Sequence, residues 1–340
     1  LIDMETLLLN SSEENIQKVA YALKKGEIIG IPTETVYGLA GNASDENAVR
    51  KIFSAKGRPA DNPLIVHLAD FSQACEYTSF IPDLAYRLAE KFCPGALTMV
   101  LPKNDRIPMV TSGGLDTVGI RIPSHPVMHR ILEVSGVPIA APSANISGYP
   151  SPTSAQHVMR DMKGKIFAVV DGGQSQYGVE STVISFEDNN SVRILRPGCI
   201  TRNMLLEVCR EVIIDRAILN EVQEGQKVSS PGMKYKHYSP KADIIMVEGS
   251  ESDFIEFAEK HNSEHTYFLI HSADGKTFPF RYLEYGRNSS EQAHFLFSRL
   301  RELDDIGAEK VYVHAPVKDD VGLAVYNRLI RSAGFEVITL

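Results

Sequence analysis

Four cations stand beside turn-forming residues in widely separated stretches of the chain. Lys56 and Arg58 lie in Ser54-Ala-Lys-Gly-Arg-Pro-Ala-Asp-Asn62-Pro63, Arg121 in Val118-Gly-Ile-Arg-Ile122, and Arg196 in Arg196-Pro-Gly198. Hydroxyls and amides gather in similar places. They occur in Ile31-Pro-Thr-Glu-Thr-Val-Tyr-Gly38, in Ala140-Ala-Pro-Ser-Ala-Asn-Ile-Ser-Gly148 with Pro150-Ser-Pro-Thr153, and in Asp171 to Gly178 running into Glu180-Ser181-Thr182. Guanidinium forks pair with carboxylate and phosphate oxygens, so Lys56, Arg58, Arg121 and Arg196 with the hydroxyls of Thr35, Ser143 and Ser181 suit a triphosphate beside a small carboxylate. Arg58 is held between Gly57 and Pro59, and rigid flanking backbone lowers the entropy cost of aiming its side chain. Each segment also has a plainer use. Thr33 or Thr35 can bond local backbone, Lys56 can complement a helix end, and Ser147 or Thr153 can serve a turn or an N-cap.

Other chemistries are excluded by pattern. No G-x-G-x-x-G opens a helix, and Gly173 to Gly178 continues into Val179-Glu180 where a P-loop needs Lys-Ser/Thr. His125 and His129 are four apart without the intervening Glu of a zincin, and no G-x-S-x-G occurs. Cys75, Cys93, Cys199 and Cys209 form no C-x-x-C pair, which predicts free thiols in a reducing compartment and no zinc site. Without an apolar run of ~18 residues or a signal-peptide pattern near Leu1, a cytoplasmic protein with no membrane association is expected. Residues 1–242 carry 25 Lys+Arg against 26 Asp+Glu, and residues 243–340 carry 10 against 17. Neither part has the basic excess that non-specific nucleic-acid binding demands.

At roughly 100 to 200 residues per domain, 340 residues predict two domains. Sixteen of the 18 prolines precede residue 243, and the polar stretch from Asn220 to Lys241 has turn signals without an apolar period. This predicts a first domain over 1–218, a linker over 219–242 placed to act as a lid, and a second domain over 243–340. In the first, helices are expected from Ser11 to Gly26, from Ser44 as N-cap to Gly57, and over 83–92, 126–134 and 153–162. Strands are expected over 28–31, 64–68, 97–101, 118–122, 138–141, 166–170, 180–186 and 192–195, in a twisted mixed sheet. Alternation at 118–122 turns Arg121 away from the core face of Val118, Ile120 and Ile122. The second part alternates strand and helix three times and ends in a strand, which predicts a smaller Rossmann-like parallel α/β domain.

The run KKGEIIGIPTETVYGLAGNASDENAVRKIFSAKGRPADNPLIVHL, followed by PGALTMVL, VGIRIP, APSANISGYPSPTS, DGG and ESTVI, resembles the YrdC family of threonylcarbamoyl-adenylate synthases across residues 8 to 215. Lys56-x-Arg58 resembles the family's K-x-R motif and Ser143-x-Asn145 its S-x-N motif. The stretch SPGMKYKHYSP and the C-terminal part are similar to the longer, two-domain members. The resemblance implies synthesis of L-threonylcarbamoyl-AMP and pyrophosphate from L-threonine, bicarbonate or carbon dioxide, and ATP with Mg²⁺. It further implies transfer of the product to a tRNA threonylcarbamoyltransferase complex that modifies the adenosine next to the anticodon, without stable tRNA binding by this chain.

By the same resemblance Lys56, Arg58, Ser143 and Asn145 are catalytic. Thr35, His67, Arg121, Ala141 and Ser181 would bind L-threonine, with Arg121 on its carboxylate, and Arg58, Asn62, Thr117, Ser143, Ser151, Arg196 and Tyr235 would bind ATP. Mg²⁺ would arrive with ATP, its protein ligands undefined. Two rivals are a module that grips RNA without chemistry and a related carbamoyl-transfer maturation enzyme. The overall charge opposes the first, and the second resembles chains with additional zinc-finger and acylphosphatase-like regions.

Overall fold

The computed structural model describes residues 5–220, 238–272 and 278–340. The first part contains β1 (Leu7–Asn10), β2 (Ile29–Ile31), β3 (Gly38–Asn42), β4 (Ile65–His67), β5 (Leu97–Pro102), β6 (Thr117–Arg121), β7 (Ile139–Ala140), β8 (Ala168–Asp171), β9 (Thr182–Phe186), β10 (Ser191–Arg196) and β11 (Glu211–Ile214). They form one mixed sheet in the order β1-β8-β2-β3-β7-β4-β6-β5-β9-β10-β11. Its helices are α1 (Glu13–Lys24), α2 (Glu46–Lys56), α3 (Asp83–Phe92), α4 (Pro126–Ser135), α5 (Ala155–Met162) and the short α6 (Arg202–Leu206).

Register at the sheet centre separates core from site. Val66, Ile120 and Met99 are cross-strand partners on β4, β6 and β5, and all three belong to the main hydrophobic cluster. One residue along, His67, Arg121 and Thr98 form the next row, on the opposite face because side chains alternate along a strand. Thus the alternation that buries the core also gathers a polar row from three strands. Helix α2 delivers Lys56 to the same region. Asp45 caps its start by accepting from the Asn47 N–H at 2.9 Å, Ala48, Val49, Ile52 and Phe53 are buried, and Gly57 ends it at φ 64°.

The second part holds β12 (Asp243–Glu248), β13 (Thr266–Ile270), β14 (Tyr282–Glu284), β15 (Lys310–His314) and β16 (Val337–Thr339) in the order β14-β13-β15-β12-β16, with every pairing parallel. It carries α7 (Glu251–His261), α8 (Ser289–Asp305) and α9 (Asp320–Ser332). Val36 and Val179 of the first part join the hydrophobic cluster formed by Tyr238, Phe297, Leu329 and other residues of the second. Arg301 of α8 makes a two-pronged pair with buried Asp161 at 3.0 and 2.7 Å and donates to Pro150 O at 2.7 Å. Gly178, at φ 78°, lies so close to α8 that a Cβ would meet Ala293 O at 2.4 Å, so only glycine fits that approach.

Several local expectations change. Ser12 caps α1 by accepting from the Asn15 N–H, one residue after the expected start at Ser11, and Asp45 replaces Ser44 as the cap of α2. Ser154 caps α5, while Thr153 is buried. Strands β1, β3, β11 and β14 were not expected. Arg121 does face away from Val118 and Ile120, but it is enclosed, at 5% exposure, rather than directed to solvent. No helix among the described residues is long and apolar enough to cross a membrane.

Candidate active site

His67 and Arg121 of the polar row line the floor of a pocket, and Thr98 stands behind it, bonded to Ser181. Its walls include Thr33, Thr35, Arg58, Ala141, Ser143, Glu180, Ser181 and Arg196, and Tyr238 reaches it from beyond the first sheet. Counting its open mouth, the pocket encloses about 590 Å³ of non-atom space. Arg58 enters from the turn after α2, Arg121 from the end of β6, and Arg196 from the end of β10. Segments distant in sequence therefore present three guanidiniums to one hollow.

Each cation has different company. Arg121 Nη2 donates to Glu34 Oε1 at 2.6 Å, and both side chains are buried. Burial alone would raise the Glu34 carboxyl, but the Arg121 charge and hydrogen bond outweigh it and hold the group below the usual carboxylate value. Arg196 donates through Nε to Ser181 O and through Nη2 to Ser181 Oγ, both at 3.1 Å. These acceptors are neutral, and burial pulls Arg196 down to about 10, which still leaves it protonated at neutral pH. Its hydrogen bonds among the described residues go to neutral Ser181, with the Glu180 carboxylate nearby, and a buried guanidinium so placed at a pocket wall can take an anion.

The remaining wall groups are fixed in orientation. Ser181 Oγ and Thr98 Oγ1 are 2.8 Å apart, and Thr33 Oγ1 bonds Thr35 Oγ1 at 2.8 Å while donating to Val36 O at 2.6 Å. His67 Nδ1 is 3.3 Å from Ile139 O. Since a carbonyl only accepts, Nδ1 carries the proton and Nε2 is left as an acceptor. Burial, followed by the neighbouring Arg121 charge, pushes His67 down to about 3, so the ring is neutral across the physiological range. Glu180 Oε1 accepts from Ser151 Oγ at 2.6 Å and Oε2 from Arg328 Nε at 2.8 Å.

Thr35, Arg58, His67, Arg121, Ala141, Ser143, Ser181 and Arg196, all singled out from the sequence, line this pocket. Lys56, Asn62, Thr117, Asn145 and Ser151 do not. Lys56 is 2% exposed, and its ammonium donates to Ser143 O, to Asn145 O at 2.8 Å and to Asn145 Oδ1 at 3.4 Å. Asn145 Nδ2 in turn donates to Ile146 O and Tyr149 O. The resemblance put the Lys56 charge near the phosphates; here the ammonium is enclosed behind the Ser143 loop and does not line the pocket. Asn62 is buried behind the pocket, and Ser151 reaches it only through Glu180. Thr117 shares the face of Arg121 at the far end of β6 but lines a separate apolar groove with Phe80 and Phe186. Tyr235 and most of the expected lid lie outside the described residues; Tyr238, just after them, is 2% exposed.

Sequence reasoning missed Glu34 and Glu180 as partners of site cations, Thr98 in the polar row, and Arg328. Thr98 had a visible signal, because it interrupts the apolar run from Leu97 to Leu101. Arg328 had none. It belongs to an apolar helix of the second part and reaches Glu180 only through tertiary folding. No cluster of three or more His, Cys, Asp or Glu among the described residues is placed to hold a metal ion.

Residues 21–198 match the Sua5–YciO–YrdC family profile, described as telomere recombination, and residues 200–334 match that of the threonylcarbamoyl-AMP synthase C-terminal domain. The chain is 43% identical over 342 residues to the threonylcarbamoyl-AMP synthase of Pyrococcus abyssi, covering 98% of this chain and 99% of the relative. It is 40% identical to that of Bacillus subtilis, with 97% and 96% covered. A crystal structure of P. abyssi Sua5 complexed with L-threonine superposes with a TM-score of 0.91 at 40% identity, covering 98% of this chain and all of that one. The pocketed mixed sheet and the parallel domain packed against it are the two halves of that architecture, and the chain belongs to the Sua5–YciO–YrdC family as an enzyme of the threonylcarbamoyl-AMP synthase type.

Proposed function

We propose that the pocket joins L-threonine, bicarbonate or carbon dioxide, and ATP into L-threonylcarbamoyl-AMP and pyrophosphate. The product would be handed to a tRNA threonylcarbamoyltransferase that modifies the adenosine next to the anticodon. The observation that carries this reading is Arg196, a buried cation whose hydrogen bonds among the described residues go to neutral Ser181, in a pocket that also receives Arg58 and Arg121. An ATP phosphate chain would give Arg196 a direct anionic partner. The P. abyssi threonine complex supports the amino-acid half; in this reading the threonine carboxylate pairs with Arg121 and its hydroxyl or amine meets Thr35, Ser181 and His67 Nε2.

In this reaction the threonine amine captures carbon dioxide with loss of a proton, or bicarbonate with loss of water, to form a carbamate. A carbamate oxygen attacks the α-phosphorus, and the bond to pyrophosphate breaks. Arg196 and Arg58 stabilise charge on the phosphate oxygens, while the polar row orients the carbamate for in-line attack. Tyr238 with the Val36–Val179 contact restricts water, which would hydrolyse the mixed anhydride. Mg²⁺ enters as part of the nucleotide substrate. Glu34 and Glu180, the carboxylates beside the pocket, are already paired with Arg121 and Arg328, a donor set that fits a cation held mainly by phosphates and water.

Incubation with Mg-ATP, labelled bicarbonate and single amino acids should give an acid-labile carbamoyl adenylate with threonine and little with others. Formation without regard to side chain, or none with threonine, would refute the reading. Replacing Arg58 by Ala removes charge-assisted bonds of about 1.5–3 kcal/mol, so kcat/KM for ATP should fall about 10–100-fold with threonine affinity little changed. Wild-type pyrophosphate release in that variant would remove Arg58 from the phosphate cradle.

A further inference from the structure

Glu180 presents an ionised carboxylate to the wall of a pocket read above as a triphosphate site. Left alone, that charge would oppose nucleotide binding. Its direct cationic partner comes from the second domain: Arg328 on α9 is fully buried and donates through Nε to Glu180 Oε2 at 2.8 Å. Arg328 is itself fixed, since its Nη1 donates to Asn327 Oδ1 at 2.8 Å, and Asn327 Nδ2 donates to Ile218 O at 2.6 Å. The other Glu180 oxygen accepts from Ser151 Oγ. A continuous chain of buried bonds therefore runs from α9 through Glu180 to Ser151.

We infer that Arg328 is a positioning residue through which the C-terminal domain tunes the nucleotide half of the catalytic pocket, by neutralising Glu180 and fixing the Glu180–Ser151 pair. The inference rests on the reading above that Arg58 and Arg196 receive ATP. It assigns the C-terminal domain a specific electrostatic task at the site. The threonine half has its own arrangement: Arg121 is already paired by Glu34, with both partners on the first domain. Loss of Arg328 should therefore be felt by one substrate and not the other.

Calorimetric titration separates these effects. Arg328→Gln should raise the Kd for Mg-ATP at least tenfold and leave that for L-threonine within twofold, whereas Arg328→Lys, which keeps the charge, should stay within threefold of wild type for both. Adding Glu180→Gln to Arg328→Gln should return ATP affinity to within threefold of wild type, because the negative charge that lost its Arg328 partner is gone. Equal weakening of both ligands, or unchanged ATP affinity in folded Arg328→Gln, would overturn the inference. If Arg328→Gln is insoluble, the double variant decides: near-wild-type ATP binding supports the charge argument, and a tenfold loss refutes it. Failure of the wild type to bind ATP would instead refute the underlying functional reading.

Discussion

Arg121→Ala should abolish threonine-dependent synthesis, lowering kcat/KM for threonine by about 10³-fold or more, while ATP still binds. The guanidinium sits at the middle of the His67–Arg121–Thr98 row and has two tasks. It offers a fork to the threonine carboxylate, and it neutralises Glu34 at 2.6 Å. Breaking a buried ion pair by removing one partner costs about 3–5 kcal/mol, since the remaining charge is left without compensation. That cost falls on stability. The rate loss comes from the substrate fork, two charge-assisted bonds of about 1.5–3 kcal/mol each, which at 1.36 kcal/mol per factor of ten amount to about 10³.

The pH dependence of stability should reverse in this variant. In the wild type the Glu34 carboxyl is held below its ordinary 4.5, so the pair stabilises the fold above that value and the contribution is lost as pH falls through the folded pKa. Without Arg121, burial, the largest influence on the group, is opposed by the weaker backbone hydrogen bonds of Glu34 and Ser124 and should raise it above 4.5. The folded state then binds more protons than the unfolded one, and stability is lost as pH rises from 4.5 toward neutrality. Thermal melting across pH 4 to 8, with calorimetry for both ligands, reads the two effects. Wild-type threonine affinity in Arg121→Ala would place the carboxylate elsewhere.

What the sequence disclosed follows from the range of the interactions involved. Alternation at 118–122 is local, so it correctly turned Arg121 away from Ile120. Gly57 and the apolar face of α2 were legible for the same reason. Strand β3 was hidden because Gly38-Leu-Ala-Gly-Asn42 has little strand propensity, and its place is set by pairing with β2 and β7. In the site, Arg58, Arg121 and Arg196 stood out because each charge lay beside a turn or in an apolar strand. Their anionic neighbours did not, since a carboxylate inside Thr33-Glu-Thr35 looks like any turn residue until folding brings Arg121 to it. The direction of Lys56 was equally hidden. A four-carbon stem at a helix end can reach the pocket or the carbonyls behind it, and only the fold of residues 143–149 decides between them.

That choice makes Lys56→Ala a second large-effect variant, with kcat expected to fall about 10²–10³-fold. The ammonium is enclosed by Ser143 O, Asn145 O and Asn145 Oδ1, and burial, then the nearby Arg58 charge, push its pKa well below the ordinary lysine value. In the reverse direction, the Ser147 N–H donates to Lys56 O at 2.9 Å. The side chain and its own carbonyl therefore clamp the Ser143–Ser147 loop to the end of α2. Truncation leaves buried acceptors without a donor at about 1–3 kcal/mol each, and the loop must shift to reach water. A displacement near 1 Å at a reacting group costs about 100-fold in rate. Because Ser143 lines the pocket while Lys56 does not, the clamp predicts a lower melting temperature and a loss concentrated in kcat, with ATP and threonine Kd changed little. Small alkylammonium ions, filling the vacated volume and donating to the same carbonyls, should restore part of the rate. A variant with unaltered melting temperature whose ATP Kd alone rises would instead put the Lys56 ammonium on the phosphates during turnover.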